Sequence, residues 1–137
     1  MTEQYLPKGI NVQVDPDDTG INVSGALIQK GMVLANDSST VVAGVTPSVV
    51  PFDPNLAGIA LEDVPDGGAV PLKNQGQFEV LVTGAVTAND PLETSGVAGV
   101  AVVAGSFFDG TFAVALEDNA DPGIKLVRAR HIFAEVF

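Results

Sequence analysis

Apolar residues come along the chain in short runs rich in Val and Ala, and each run is cut after a few residues by Gly, Pro, Asn or Asp. Runs of that length bounded by breakers read as strands and turns, because a helix needs an apolar stripe at helical spacing sustained over several turns. The pattern predicts strands at Gly9–Val14, Gly25–Leu34, Thr40–Val45, Ala57–Leu61, Ala69–Leu72, Gln77–Val82, Gly99–Val103, Thr111–Leu116, Ile124–Ala129 and Ile132–Phe137. Turn residues separate them: Asp15-Pro16-Asp17-Asp18-Thr19-Gly20, Asn36-Asp37-Ser38-Ser39, Pro65-Asp66-Gly67-Gly68, Asn89-Asp90-Pro91 and Asp121-Pro122-Gly123. The expected class is all-β with little helix.

The pattern repeats. Ile59-Ala60-Leu61-Glu62-Asp63-Val64-Pro65-Asp66-Gly67-Gly68 recurs as Val114-Ala115-Leu116-Glu117-Asp118-Asn119-Ala120-Asp121-Pro122-Gly123, and the register continues to Lys73 with Arg128 and Phe78 with Phe133. Upstream, Val33-Leu34-Ala35-Asn36-Asp37 is echoed by Val86-Thr87-Ala88-Asn89-Asp90. Two copies of one β-unit, 33–82 and 86–137, therefore account for most of the chain. One copy has too few strands to bury an apolar face alone, whereas two packed together can close a barrel-like or sandwich core. The sequence thus divides into an extended N-terminal arm, 1–24, with two prolines and few large apolar residues, and a single β domain, 25–137.

Composition narrows the partners. Hydrophobic residues make up 46% of the 137 residues but aromatics only 6%, so the core has to be built from small and β-branched side chains. Seventeen acidic against six basic residues give a net charge of −11, which repels a phosphate backbone and argues against a nucleic-acid partner. The chain has no Cys, which removes disulfides and thiolate sites. No run is long and apolar enough to span a membrane, and the first residues lack the basic start and apolar stretch of a signal peptide, so a protein made and kept inside a cell, or released by lysis, is expected.

Candidate chemistry is sparse. Glu62, Asp63 and Asp66, with their copies Glu117, Asp118 and Asp121, fall at duplicated strand-to-turn junctions, where Asp and Gly serve the turn; calcium ligation is the alternative. Asp15-Pro16-Asp17-Asp18 resembles the start of a calcium loop but lacks the alternating ligands and closing Glu. His131 is the only histidine, which excludes a His-based metal triad within one chain, and it is expected to mark the turn into the last strand. No glycine pattern matches a dinucleotide or phosphate loop, and no serine elbow is present. No enzyme, metal or cofactor is expected. Lys125, Arg128 and Arg130 hold half of the basic charge, serving either local charge balance or an acidic patch on a partner.

Several of these elements together resemble a known family. Gly58-Ile59-Ala60-Leu61-Glu62-Asp63, then Gly67-Gly68-Ala69-Val70-Pro71-Leu72, Gly76-Gln77-Phe78-Glu79-Val80, Asn89-Asp90-Pro91-Leu92 and Val114-Ala115-Leu116-Glu117-Asp118, ending in Ile124-Lys125-Leu126-Val127-Arg128, are similar to the capsid decoration, or cement, proteins of tailed phages. The resemblance runs from about Gly25 to the C-terminus. It implies a β-tulip-like barrel that sits as homotrimers at three-fold and quasi-three-fold positions on the outer surface of the expanded capsid. The implied partners are the major capsid protein and further copies of itself, and the implied role is to stabilise the head against internal DNA pressure. An arm can lie over a neighbouring subunit or add a strand to an open sheet edge. The expected capsid contacts are Tyr5, Leu6 and Pro7 in the arm, with Arg128 and Arg130. A tail, fibre or spike component is the first alternative, and a β-barrel enzyme or ligand-binding module the second.

Overall fold

The computed structural model describes residues 16–50, 55–105 and 111–132. Among them there are strands and turns and no helix. Ten strands follow in order: β1 (Asp18–Asn22), β2 (Val33–Asn36), β3 (Gly44–Pro47), β4 (Leu56–Ala60), β5 (Ala69–Lys73), β6 (Gln77–Thr83), β7 (Pro91–Thr94), β8 (Ala101–Val103), β9 (Thr111–Ala115) and β10 (Ile124–His131). They close into two five-stranded barrels of the same topology. The first runs β1-β3-β2-β4-β5 and the second β6-β8-β7-β9-β10, each returning to its first strand.

The equivalence extends to individual pairings. β1 lies parallel to β3 and antiparallel to β5, as β6 lies parallel to β8 and antiparallel to β10. The β2–β4 ladder slips between Leu34 and Ala35, and the β7–β9 ladder slips at the matching place between Leu92 and Glu93. Isolated bridges Ile28–Val64 and Val86–Asn119 close corresponding ends of the two barrels. A five-stranded barrel has a narrow interior, which small and β-branched side chains fill, and this is why a Val- and Ala-rich sequence with few aromatics suits it. Val80 and Val82 from β6, with Leu92, Ala113, Val127 and Ala129, fill the second barrel; Ile28, Leu34, Val45, Val70 and Leu72 fill the first. Alternation is clear in β6, where Phe78, Val80 and Val82 point inward and Gln77 and Glu79 outward.

Two expectations are corrected, the extent of the arm and the cut between the copies. Part of the segment assigned to an arm is structural: Asp18–Asn22 forms β1 and closes the first barrel against Leu72, Pro71, Val70 and Ala69. Tyr5, Leu6, Pro7 and the rest of 1–15 lie outside the described residues, as do most of Ile132–Phe137 and the strand expected at Gly9–Val14. The copies are also cut differently. Their boundary falls between β5 and β6, so Gln77–Val82 opens the second barrel instead of ending the first. Downstream, Ile59 and Val114 do correspond, since they oppose Val33 and Pro91 in the matching ladders. Upstream, it follows that Val33 corresponds to Pro91 and not to Val86, whose bridge makes it the counterpart of Ile28. Both sheets close on themselves, so among the described residues neither has an open edge.

Candidate functional site

The duplicated acidic blocks serve the backbone. Asp63 accepts the Lys30 N–H at 2.7 Å, and Asp118, its copy, accepts the Ala88 N–H at the same distance. Asp66 accepts from the Gly25 N–H at 2.9 Å, while Asp121 accepts from Gly123 in its own turn at 2.8 Å. Asp63 and Asp66 therefore pin the loop before β2 to the turn that follows β4, and Asp118 pins the loop before β7 to the turn that follows β9. Among the described residues no three His, Cys, Asp or Glu side chains gather as a metal would require. Asp17 is similarly engaged: it accepts the Asn74 and Gln75 N–H groups at 2.8 and 3.1 Å and pairs with Lys73 at 3.4 Å, clipping the short connection between the barrels.

The basic set is spread over β10 and its base. Arg128 and Arg130 are exposed, on the face opposite to the buried Val127 and Ala129. Arg128 lies 3.6 Å from Glu117, which also accepts its backbone N–H, and stands across the ladder from Glu79. Lys125 bonds the Gly84 and Asp121 carbonyls. Arg130, across from Gln77, makes no ion pair among the described residues. His131 is the last residue of β10, and the strand expected after it lies, but for Ile132, outside the described residues. It lines a cavity of about 70 Å³ between the barrels with Val33, Ile59, Phe78 and Phe112. That volume is well below the several hundred Å³ typical of a small-molecule site. A more open depression of about 290 Å³ at one end of the first barrel is lined by Thr19, Asn36 and Asn74, with Asp18 its one titratable group.

Two buried polar features escaped the sequence reading. Asn22 is fully buried, and its side chain is satisfied by donating to the Ala26 and Val64 carbonyls and accepting from Ser24, which braces the mouth of the first barrel. On β7, Glu93 has one carboxylate oxygen buried with no hydrogen-bond partner among the described residues, and this burial raises its pKa above the ordinary value.

A third feature was also missed although the sequence carries a signal for it. Residues 38–52 and 94–108 contain no Asp, Glu, Lys, Arg or His, and each stretch is bounded by acidic residues, Asp37 and Asp53 in one copy and Glu93 and Asp109 in the other. Their described parts, 38–50 and 94–105, occupy matching places around β3 and β8, and each is turned in the same way, by Gly44 N–H to Val41 O and Val100 N–H to Val97 O, both at 3.1 Å. The two stretches meet. Gly99 N–H donates to the Ser48 carbonyl at 2.8 Å, Ser48 N–H to Val33 at 2.9 Å, and Val33 N–H back to Gly99 at 2.9 Å. Thr94, itself buried, donates its hydroxyl to the Val50 carbonyl at 2.8 Å. The result is a seam between the barrels at which Val49, Val50 and Val97 are each about half exposed, at 57%, 50% and 50%.

No protein-family model matches the chain, and no curated protein matches it. Among solved structures it is similar to the N base of the head fibre gp8.5 of bacteriophage phi29, with a TM-score of 0.63 and 18% identity, over 84% of this chain and 92% of that one. The likeness establishes a shared all-β fold.

Proposed function

We propose that this chain is a structural component of a tailed-phage virion that binds the outer surface of the expanded head, as homotrimers on the major capsid protein at three-fold and quasi-three-fold sites, and stabilises the head against internal DNA pressure. The observation that carries the reading is the fold, which matches nearly the whole of a phage head fibre base. The physical character of the chain supports it. Its charge of −11 disfavours contact with packaged DNA, and its two barrels are closed, leaving no open sheet edge among the described residues. A trimer touching several shell subunits multiplies modest contacts into a large collective effect, and preferential binding to the expanded lattice stabilises that lattice by mass action. On this reading Tyr5, Leu6, Pro7, Arg128 and Arg130 are contact residues, and the protein is neither an enzyme nor a membrane or nucleic-acid binder.

The same likeness favours one second reading, in which the chain is the head-bound base of a fibre. Co-sedimentation of the purified protein with undecorated heads, compact and expanded, tests both. Saturable binding to expanded heads at many copies per head is the expected result for a cement protein; saturation at few copies supports the fibre base. Binding to neither form overturns the head reading.

A further inference from the structure

We infer that the uncharged seam between the barrels is the face that docks on the head shell, and that its counterpart there is an uncharged, apolar patch of the shell protein. This rests on the head-binding reading above and specifies the surface it uses. Single exposed valines need no explanation on a protein surface, but Val49, Val50 and Val97 come from two segments far apart in sequence. Hydrogen bonds from Gly99 to Ser48 and from Thr94 to Val50 hold those segments side by side. The described sequence on both sides, 38–50 and 94–105, is free of charge in a chain that carries seventeen acidic residues elsewhere.

Charge decides both the place and the partner. Docking that buried the acidic turns would strip carboxylates of water, and interface centres are depleted of charged residues for that reason. Docking on the seam covers Val49, Val50 and Val97 and takes no charged side chain of 38–50 or 94–105 out of water. A shell patch carrying acidic groups would meet the field of a −11 protein, and one carrying basic groups would find no carboxylate on the seam to pair with. An apolar, uncharged counterpart loses nothing in either respect. The backbone here is also pre-organised, since the Val33, Ser48 and Gly99 hydrogen bonds tie both stretches to the barrels before any partner arrives.

The test compares Val49→Glu, Val97→Glu and their double variant with the native protein and with Val42→Glu. Val42 is 96% exposed but lies before β3, with the strand between it and Ser48. Affinity for expanded heads is read by co-sedimentation, fold by thermal unfolding, and the state of the free protein by sedimentation velocity. The expected result is at least a tenfold loss of head affinity for the double variant, with native unfolding behaviour, and native affinity for Val42→Glu. Native affinity in the double variant overturns the seam as the docking face while leaving head binding intact. A changed self-association with unchanged head affinity assigns the seam to contacts between copies and likewise overturns it. Failure of the native protein to bind any head overturns the head reading, and the seam proposal with it.

Discussion

At the scale of single residues, the two acids with displaced pKa values among the described residues pull in opposite directions. Asp37 is held below the usual carboxylate range by the hydroxyl and backbone N–H of Ser39, so its contribution to stability is present near neutrality and is lost as the pH falls through its lowered pKa. Glu93 is the reverse case. Burial raises its pKa, so the folded protein binds that proton more tightly than the unfolded chain does. Protonation therefore favours the fold, and that advantage disappears as the pH rises through the raised value. At neutral pH the Glu93 charge works against the fold. Replacing it by Gln, Glu93→Gln, is expected to raise Tm on the order of 1–3 °C at neutral pH, with the difference from the native protein shrinking as the pH falls through and below the ordinary Glu pKa, where the carboxyl becomes protonated in the folded and the unfolded protein alike. Differential scanning calorimetry across that range checks it, and a variant less stable than the native protein at neutral pH would contradict the account. Asp37 is present in both proteins and cancels from the comparison.

At the scale of elements, the recurring unit is a strand, an acidic turn and a loop fastened by one carboxylate. Asp63 and Asp118 perform the same task on Lys30 and Ala88, and the Leu-Glu-Asp block persists in both copies because the turn requires an acceptor at its third residue. Asp63→Ala and Asp118→Ala are each expected to cost about 1 kcal/mol, the net worth of an exposed hydrogen bond to a charged group, and to do so about equally. Glu62→Ala, at the neighbouring exposed position without such a bond, is expected to stay within about 0.5 kcal/mol of native. Urea unfolding of the three variants separates this from a metal role, since calcium would stabilise the native protein and not the Asp variants. Much at this scale was legible beforehand. The turns, eight of the strands in approximate place and the downstream register of the repeat follow from local breakers and alternation. β1 and β7 were read as turns, because Asp18-Thr19-Gly20 and Asn89-Asp90-Pro91 are turn sequences by propensity. They become strands only because distant β5 and β9 supply ladders for them, and Pro91 is accommodated as the first residue of its strand.

At the scale of the whole molecule, the two barrels are not independent beads. Val33 and Ile59 of the first belong to the apolar cluster of the second, and Lys30 pairs with Glu79 across the boundary at 3.3 Å. Gly31 sits at the tightest point. Its carbonyl accepts the Leu81 N–H at 2.8 Å, its φ is +90°, and a Cβ there would run into the side chains of Leu126 and Leu81. Asn89 holds the corresponding place in the second copy, with φ of +77°, so the left-handed turn is a property of the unit, whereas the close approach is a property of the seam. The barrels are therefore expected to unfold as one, with amides of β5 and β10 exchanging at the same free energy. Gly31→Ala is expected to lower stability by about 1–3 kcal/mol and to split those two values. Native-state hydrogen exchange checks both, and unequal values in the native protein would mean that the seam does not couple the barrels.

The sequence by itself determined the class, the turns, the existence of a duplication and the absence of charge from two matching stretches. Each of these is written in residues close together along the chain, where alternation, breakers and composition act locally. Tertiary structure decided where each copy begins, that each closes into a barrel of its own, that Asp18–Asn22 belongs to the body of the protein, and that 38–50 and 94–105 lie against each other. Those outcomes depend on pairings such as Thr19 with Pro71 and Ser48 with Gly99, between residues tens of positions apart. Their free energy comes from closing ladders and excluding water from a shared core, and no local pattern along the chain encodes it.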